Sequence, residues 1–130
     1  MREKNNQHPE DITLLISSLK DQAYCYLTTT GRVSGHPHEI EIWFGANDST
    51  LYLLSGSAES DWVKNLIKNP VVTVRITKHT FKGTARLVTE KEEDMLARYL
   101  VAEKYQEWEQ ERTPSQWAQT ALPIAIDVNI

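Results

Sequence analysis

The sequence predicts a mainly β (α+β) fold: six antiparallel strands closed into a small barrel, with helices at its periphery. Three observations carry this. Six segments either alternate in polarity or concentrate β-branched and aromatic residues over strand length. Several of them are joined by short turns, which antiparallel neighbours allow and parallel ones do not. Helical segments do not alternate regularly with the strands, which disfavours a doubly wound parallel sheet. Closing the sheet hides its edges.

The elements follow in order. His8-Pro9-Glu10-Asp11 opens a helix, because proline suits the first helical position and acids suit the first turn. Ile12, Leu15, Ile16 and Leu19 then recur at helical spacing. Ala23 to Thr30 reads as a strand, and Gly31-Arg32-Val33-Ser34-Gly35 as a turn. From His38 to Phe44 the residues alternate, with Ile40, Ile42 and Phe44 on one face and Glu39, Glu41 and Trp43 on the other. Gly45-Ala46-Asn47-Asp48 reads as a second turn and Thr50 to Ser55 as a third strand.

Ser60 is placed to cap a short helix from Asp61 to Lys68, with Trp62, Val63 and Leu66 facing inward. Asn69-Pro70 stops it, since the residue before proline avoids the helical region. Val71 to Thr77 and Phe81 to Val88 read as a hairpin with His79-Thr80 near its tip. Thr89-Glu90-Lys91-Glu92 has the form of a capping box before a longer helix carrying Met95, Leu96, Tyr99 and Leu100. Thr113-Pro114-Ser115-Gln116 repeats the capping pattern, and Ile124, Ile126, Val128 and Ile130 alternate as a sixth strand.

Length and composition bound the rest. The 130 residues make one domain, 1–130, with room for a core. With 40% hydrophobic and 25% charged residues the chain reads as globular, not disordered. No apolar run is long enough to cross a bilayer, and the start lacks the apolar stretch of a signal peptide. The expected compartment is the cytoplasm, with no membrane partner. Cys25 is the single cysteine and forms neither an internal disulfide nor a zinc cage; it is expected buried and inert.

A net charge of −4 argues against nucleic acid as a partner. The charge is unevenly spread, however. No acid falls between Trp62 and Thr89, whereas Lys64, Lys68, Arg75, Lys78, Lys82 and Arg86 do. Such a stretch marks a local anion site. It also arises from strand composition alone, because acids are depleted in strands.

Two segments are candidates for chemistry. In Leu27-Thr28-Thr29-Thr30-Gly31-Arg32-Val33-Ser34-Gly35 a strand runs into a turn with two glycines. That arrangement gathers backbone N–H groups around an anion, and Arg32 adds a forked cationic donor. A plain hairpin turn with an exposed arginine fits the same residues. In Leu54 to Pro70, Ser55, Gly56 and Ser57 are small residues at a strand end, where a ligand can approach the backbone. Trp62 offers a flat face, and Asn65 shares its side of the helix. Trp62 and Leu66 as core residues fit equally.

These motifs, Thr29-Thr30-Gly31-Arg32-x-Ser34-Gly35, Leu51-Tyr52-Leu53-Leu54-Ser55 and Trp62-x-x-Asn65-Leu66-x-x-Asn69-Pro70, resemble the deazaflavin-dependent nitroreductase family. That family lies within the flavin and deazaflavin oxidoreductases related to pyridoxamine 5′-phosphate oxidase. The likeness covers about residues 23–88. It implies a split β-barrel of the FMN-binding type and a homodimer with cofactor sites in its interface. It implies that Thr29, Thr30, Gly31, Arg32, Ser34 and Gly35, with neighbouring basic residues such as Lys64, hold the cofactor phosphate. Ser55, Ser57, Trp62 and Asn65 then surround the ring of FMN or of the 8-hydroxy-5-deazaflavin coenzyme. The implied activity is hydride transfer to a small organic acceptor, with the cofactor and not a side chain performing the chemistry.

The chain departs from the family at Val33, where a basic residue is common, and at Glu39-Ile40-Glu41-Ile42, where a proline and an apolar residue are common. Tyr99 and Tyr105 are loose candidates for the tyrosines that the family places over its substrate. Two rivals stand beside this reading. One is a non-catalytic flavin or haem carrier, and the other a metal-dependent hydrolase built on His36 and His38. Glu103, Glu107, Glu109 and Glu111 read as a solvated helix face, His79 as solvated, and Trp108 and Trp117 as packing residues.

Overall fold

The computed structural model describes residues 9–109 and 120–129. The elements are α1 (Pro9–Leu19), β1 (Cys25–Thr30), β2 (Pro37–Ile42), β3 (Gly45–Asn47), β4 (Thr50–Ser55), α2 (Asp61–Lys68), β5 (Val71–Ile76), β6 (His79–Leu87), α3 (Lys91–Glu109) and β7 (Leu122–Val128). The strands form one antiparallel sheet in the order β2-β1-β5-β6-β7-β4-β3. Its two edge strands, β2 and β3, are joined by Trp43 and Phe44 alone. Three Cα steps reach at most about 11 Å. The sheet must therefore curl until its edges meet, and it forms a split barrel.

Seven strands replace the expected six. Gly45–Asn47, read from sequence as a turn, pairs with Thr50–Tyr52. The turn itself is Asp48-Ser49, with Asp48 at φ 56°, a conformation that aspartate tolerates better than most residues. Gly45 serves close packing instead: a Cβ there would sit 3.0 Å from Leu100 Cβ. The second hairpin also turns earlier than expected, at Thr77-Lys78, because His79 pairs with Ile76. Thr77 takes φ 52°, which is costly for a β-branched residue.

The barrel interior is filled by Leu27, Phe44, Leu51, Leu53, Val74, Ile76, Ile124 and Ile126, and α1 and α2 close it with Ile12, Ile16, Val63 and Leu66. A second apolar layer lies under α3, where Tyr52, Leu54 and Ala125 meet Ala97, Val101 and Tyr105. With both faces covered, β4 reads as a continuous apolar run. Of the residues expected on the apolar side of α3, Leu96 and Leu100 pack against the sheet while Met95 and Tyr99 are exposed, and Ala97, Val101 and Ala102 bring the helix onto the sheet. Its N-cap is Glu90, whose carbonyl accepts the Asp94 N–H, and not Thr89. Thr113 to Gln116, Glu111, Trp117 and Ile130 lie outside the described residues, as do the side chains of Glu107, Trp108 and Glu109.

The link between β2 and β3 is held by α3. The buried Phe44 N–H donates to the Tyr105 hydroxyl at 3.1 Å, and that hydroxyl donates to the Ala23 carbonyl at 2.7 Å. Lys104 Nζ donates to the Phe44 carbonyl at 3.0 Å and lies 3.6 Å from the Phe44 ring centre. Tyr105 stacks on Trp43 at 4.2 Å. Burial lowers the Lys104 amine to about 8. The start of α3 is pinned elsewhere: Glu93 takes two N–H bonds from Arg86 and one hydroxyl bond from Tyr52, all at 2.7 Å, and Arg86 also reaches Asp127. Cys25 is fully buried, as expected, and its thiol is pushed up to about 12 by that burial.

Candidate functional site

The strand β1 places Thr29 inward and hands the chain to the loop 31–36, which faces the start of α2. The loop is closed on itself. Gly31 N–H donates to the His36 carbonyl at 2.8 Å, and Gly35 N–H to the Gly31 carbonyl at 2.9 Å. Gly35 takes φ 76°, and His36 N–H donates to Ser34 Oγ at 3.1 Å. At Gly31 the space is filled by neighbouring side chains, since a Cβ there would lie 2.7 Å from Ser34 Oγ and 2.8 Å from His38 Nε2, so both would have to move.

Asn65 ties this loop to α2. It is 4% exposed, and its Oδ1 accepts both the Arg32 N–H at 3.1 Å and Arg32 Nη1 at 2.9 Å. Its Nδ2 donates to the buried Thr29 Oγ1 at 3.3 Å. Arg32 also donates from Nη2 to Asp61 Oδ1 at 3.2 Å and from Nη1 to the Asp61 carbonyl at 3.4 Å. The expected cradle of loop amides is thus narrower than the sequence implied. The Gly31, Arg32, Gly35 and His36 N–H groups are spent inside the protein, and those of Val33 and Ser34 remain.

Between these elements lies a cavity of about 640 Å³, within the usual range for small-molecule sites. Its floor is the loop residues Gly31, Arg32, Val33 and Ser34. One wall is the run from Pro37 to Ile40 on β2, and the other is Asp61, Trp62 and Asn65 on α2. One chain therefore shapes a recess outside the filled barrel.

Of the residues expected at a site, Gly31, Arg32, Ser34, Trp62 and Asn65 line this cavity together. Thr29 is buried behind Asn65 and orients it. Thr30 ends β1, its carbonyl accepting an N–H from Asn69, and with Gly35 it shapes the loop without lining the cavity. Ser55, Ser57 and Lys64 are not brought to it. Ser55 Oγ donates to the Ser57 carbonyl at 2.7 Å, Ser57 Oγ accepts the Glu59 N–H, and Lys64 pairs with Glu59 at 2.8 Å; these contacts build the turn into α2.

Sequence reasoning missed Asp61, and it offered His38 only as a metal ligand and Glu39 only as a departure from the family, not as walls of this cavity. For Asp61 a signal was present, because it stands four residues before Asn65 on the same helix face. Tyr105 and Tyr99 do not reach the cavity: the first is engaged with the main chain at Phe44, and the second bonds Glu103 on its own helix.

None of the six basic residues of the acid-free run lines the cavity, and three of them are paired with acids. Arg75 lies over the Tyr26 ring and 3.7 Å from Glu39, Arg86 is bound by Glu93 and Asp127, and Lys64 by Glu59. Acids outside the run thus pair with Lys64, Arg75 and Arg86. Glu41, the second outward carboxylate of β2, accepts the Tyr26 hydroxyl at 2.9 Å. Among the described residues no three His, Cys, Asp or Glu side chains gather around a metal position, so His36 and His38 lack the further ligands a hydrolase site requires.

The cavity lining thus combines the Arg32 guanidinium, the Asn65 amide, the Trp62 indole and the apolar Val33, Pro37 and Ile40 with the carboxylates of Asp61 and Glu39 and the His38 imidazole. That set fits a flat ring bearing an anionic group.

The family model for F420H(2)-dependent quinone reductase matches residues 2–129. A search of curated proteins finds no match. Among solved structures, a Listeria innocua protein described as a pyridoxamine 5′-phosphate oxidase is 20% identical, with a TM-score of 0.66, covering 92% of this chain and 94% of that one. An F420-H2 dependent reductase is 21% identical with a TM-score of 0.62, over 82% of this chain and 94% of the other. The haem storage protein HutZ of Vibrio cholerae is 16% identical with a TM-score of 0.70, covering 92% and 91%. At these identities the likeness is one of fold, the split barrel of the pyridoxamine 5′-phosphate oxidase type.

Proposed function

The chain belongs to the F420H(2)-dependent quinone reductase family, a family of oxidoreductases, and from that premise we propose that it binds the deazaflavin coenzyme or FMN in the Arg32 cavity and passes hydride to a small organic acceptor. The observation that carries the reading is the joint placement of Arg32, Trp62 and Asn65 on one cavity. In this reading the Arg32 guanidinium and the Val33 and Ser34 amides hold the phosphate. Trp62 and Ile40 flank the ring, and the missing side chain of Gly31 leaves the loop close to it. Asn65 and Thr29 fix the direction of Arg32 from behind.

When bound, the cofactor supplies the hydride chemistry. The protein's part is to orient the ring and exclude water from one face. A second copy of the chain supplies the outer wall in this reading, since Val33 is 93% exposed at the mouth and β2 is an exposed edge strand. A small-molecule site normally buries most of its ligand, and the walls of one chain leave this one open. The reading places the protein in the cytoplasm, where an unpaired cysteine such as Cys25 is at home. No helix among the described residues is long and apolar enough to cross a membrane.

Fluorescence titration with FMN and with the deazaflavin coenzyme tests this reading. Quenching of at least one at micromolar concentration is expected, and binding of neither refutes it. A non-catalytic flavin or haem carrier is the second reading, favoured by the fold shared with HutZ and by His38 on the cavity wall. It predicts a Soret band with added haemin, or flavin binding without turnover of any acceptor.

A further inference from the structure

Arg32 makes two kinds of contact on α2, and they differ in permanence. Asn65 is buried, bound at both ends of its amide, and holds the Arg32 main chain as well as Nη1. Asp61 is its opposite: its side chain is 87% exposed, and its carboxylate reaches Arg32 Nη2 at 3.2 Å from the first residue of α2. A contact of this second kind yields readily, because an exposed pair gains little over its hydrated parts.

Asp61 nevertheless occupies one end of the Arg32 guanidinium, and both residues line the cavity. An anion arriving at Arg32 must take Nη2 from the carboxylate, or sit beside it and bear the repulsion. A second carboxylate, Glu39, stands on the opposite wall, where Arg75 lies 3.7 Å from it, with His38 next to it. Arg32 is the single Lys or Arg among the described residues that line the cavity.

We propose that Asp61 is an internal competitor for the Arg32 guanidinium, and that it sets the affinity of the cavity for the anionic end of its ligand. The ligand's phosphate displaces the Asp61 carboxylate from Nη2, while Asn65 keeps Nη1. Asp61 is thereby a specificity-determining residue: it weakens every anion, and a dianion more than a monoanion. This rests on the reading that the ligand's phosphate lies at Arg32.

The experiment compares wild type with Asp61→Asn by fluorescence titration at low and at 0.5 M salt. The probes are FMN against riboflavin, which has the same ring without the phosphate, and the deazaflavin coenzyme against its ring truncated before the phosphate. Asp61→Asn is expected to tighten the phosphorylated ligand roughly tenfold at low salt, the size of a dianion and a carboxylate a few ångströms apart in water. The gain shrinks at high salt, and the unphosphorylated ring is unaffected. Glu59→Gln, which removes a charge just before the same helix while Glu59 binds only Lys64, should change nothing.

Equal or weaker binding of the phosphorylated ligand by Asp61→Asn overturns the proposal while leaving the cofactor reading intact. So does an equal gain for riboflavin, or an equal gain in Glu59→Gln. Failure of both proteins to bind any of the four probes overturns the cofactor reading and this proposal together.

Discussion

Replacing Tyr105 with phenylalanine removes one oxygen atom and leaves the ring stacked on Trp43. That oxygen accepts the Phe44 N–H and donates to the Ala23 carbonyl, and Tyr105 is 2% exposed. Phe44 is fully buried, so its N–H is left with no partner and no water. An orphaned buried group costs about 1–3 kcal/mol. Ala23 is half-buried and recovers part of its bond from solvent, which puts the total near 2–4 kcal/mol. Urea denaturation measures this directly, as a lower midpoint with an unchanged slope. Tyr99→Phe is the control, because that hydroxyl bonds only Glu103 on an exposed face and its loss should stay within about 0.5 kcal/mol. A Tyr105→Phe cost no larger than that of the control would refute the claim that α3 satisfies the main chain between β2 and β3.

Other outcomes follow from the same reasoning. Arg32→Ala should weaken cofactor binding by roughly 1.5–3 kcal/mol, the usual size for a charged hydrogen bond; unchanged affinity in a titration would take Arg32 out of the site. Arg86 and Tyr52 hold the Glu93 carboxyl down to about 2. A carboxyl lowered on folding contributes stability that is complete above its unfolded value, near 4.3, and that fades as pH falls toward 2. Glu93→Gln should therefore be less stable at neutral pH and lose less than wild type between pH 5 and 2, as read by thermal melting; parallel curves would contradict this. Thr77→Gly should raise stability by up to about 1 kcal/mol, because the left-handed conformation costs threonine more than glycine's extra chain entropy. A loss in urea denaturation would show that the Thr77 hydroxyl bond to the Ile76 carbonyl outweighs the strain.

Much of the fold was legible, and what was not has physical causes. The stripe of Ile12, Ile16 and Leu19, the Asn69-Pro70 stop and the β-branched run of β5 each declare one element by local rules. Three residues of β3 carry no period to read, and Gly45 serves a helix contact that sequence cannot distinguish from a turn. The turn at Thr77-Lys78 contains no turn-forming residue. On α3 the buried face is marked by the small Ala97 and Ala102, with Val101 and the polar-tipped Tyr105, so the louder signals of Met95 and Tyr99 mislead. At the site, Arg32, Trp62 and Asn65 were visible as motif residues. The β2 wall was not, because membership depends on β2 standing at a sheet edge opposite α2. The charge run was only half readable: Glu59 and Glu93 flank it closely, whereas Glu39 and Asp127 reach Arg75 and Arg86 only through the folded sheet.

The order of strands bears on how the molecule is made. The hairpin of β3 and β4 joins the rest of the sheet only through β7, which is synthesised after α3 and inserts between β6 and β4. On the ribosome, β1, β5 and β6 can pair early, whereas β4 keeps an unpaired edge until β7 emerges. Such late, long-range closure slows folding and leaves a strand open to a neighbouring chain in the interval. Until β7 docks, the open edge of β4 is a place where the β7 of another copy can pair instead of its own.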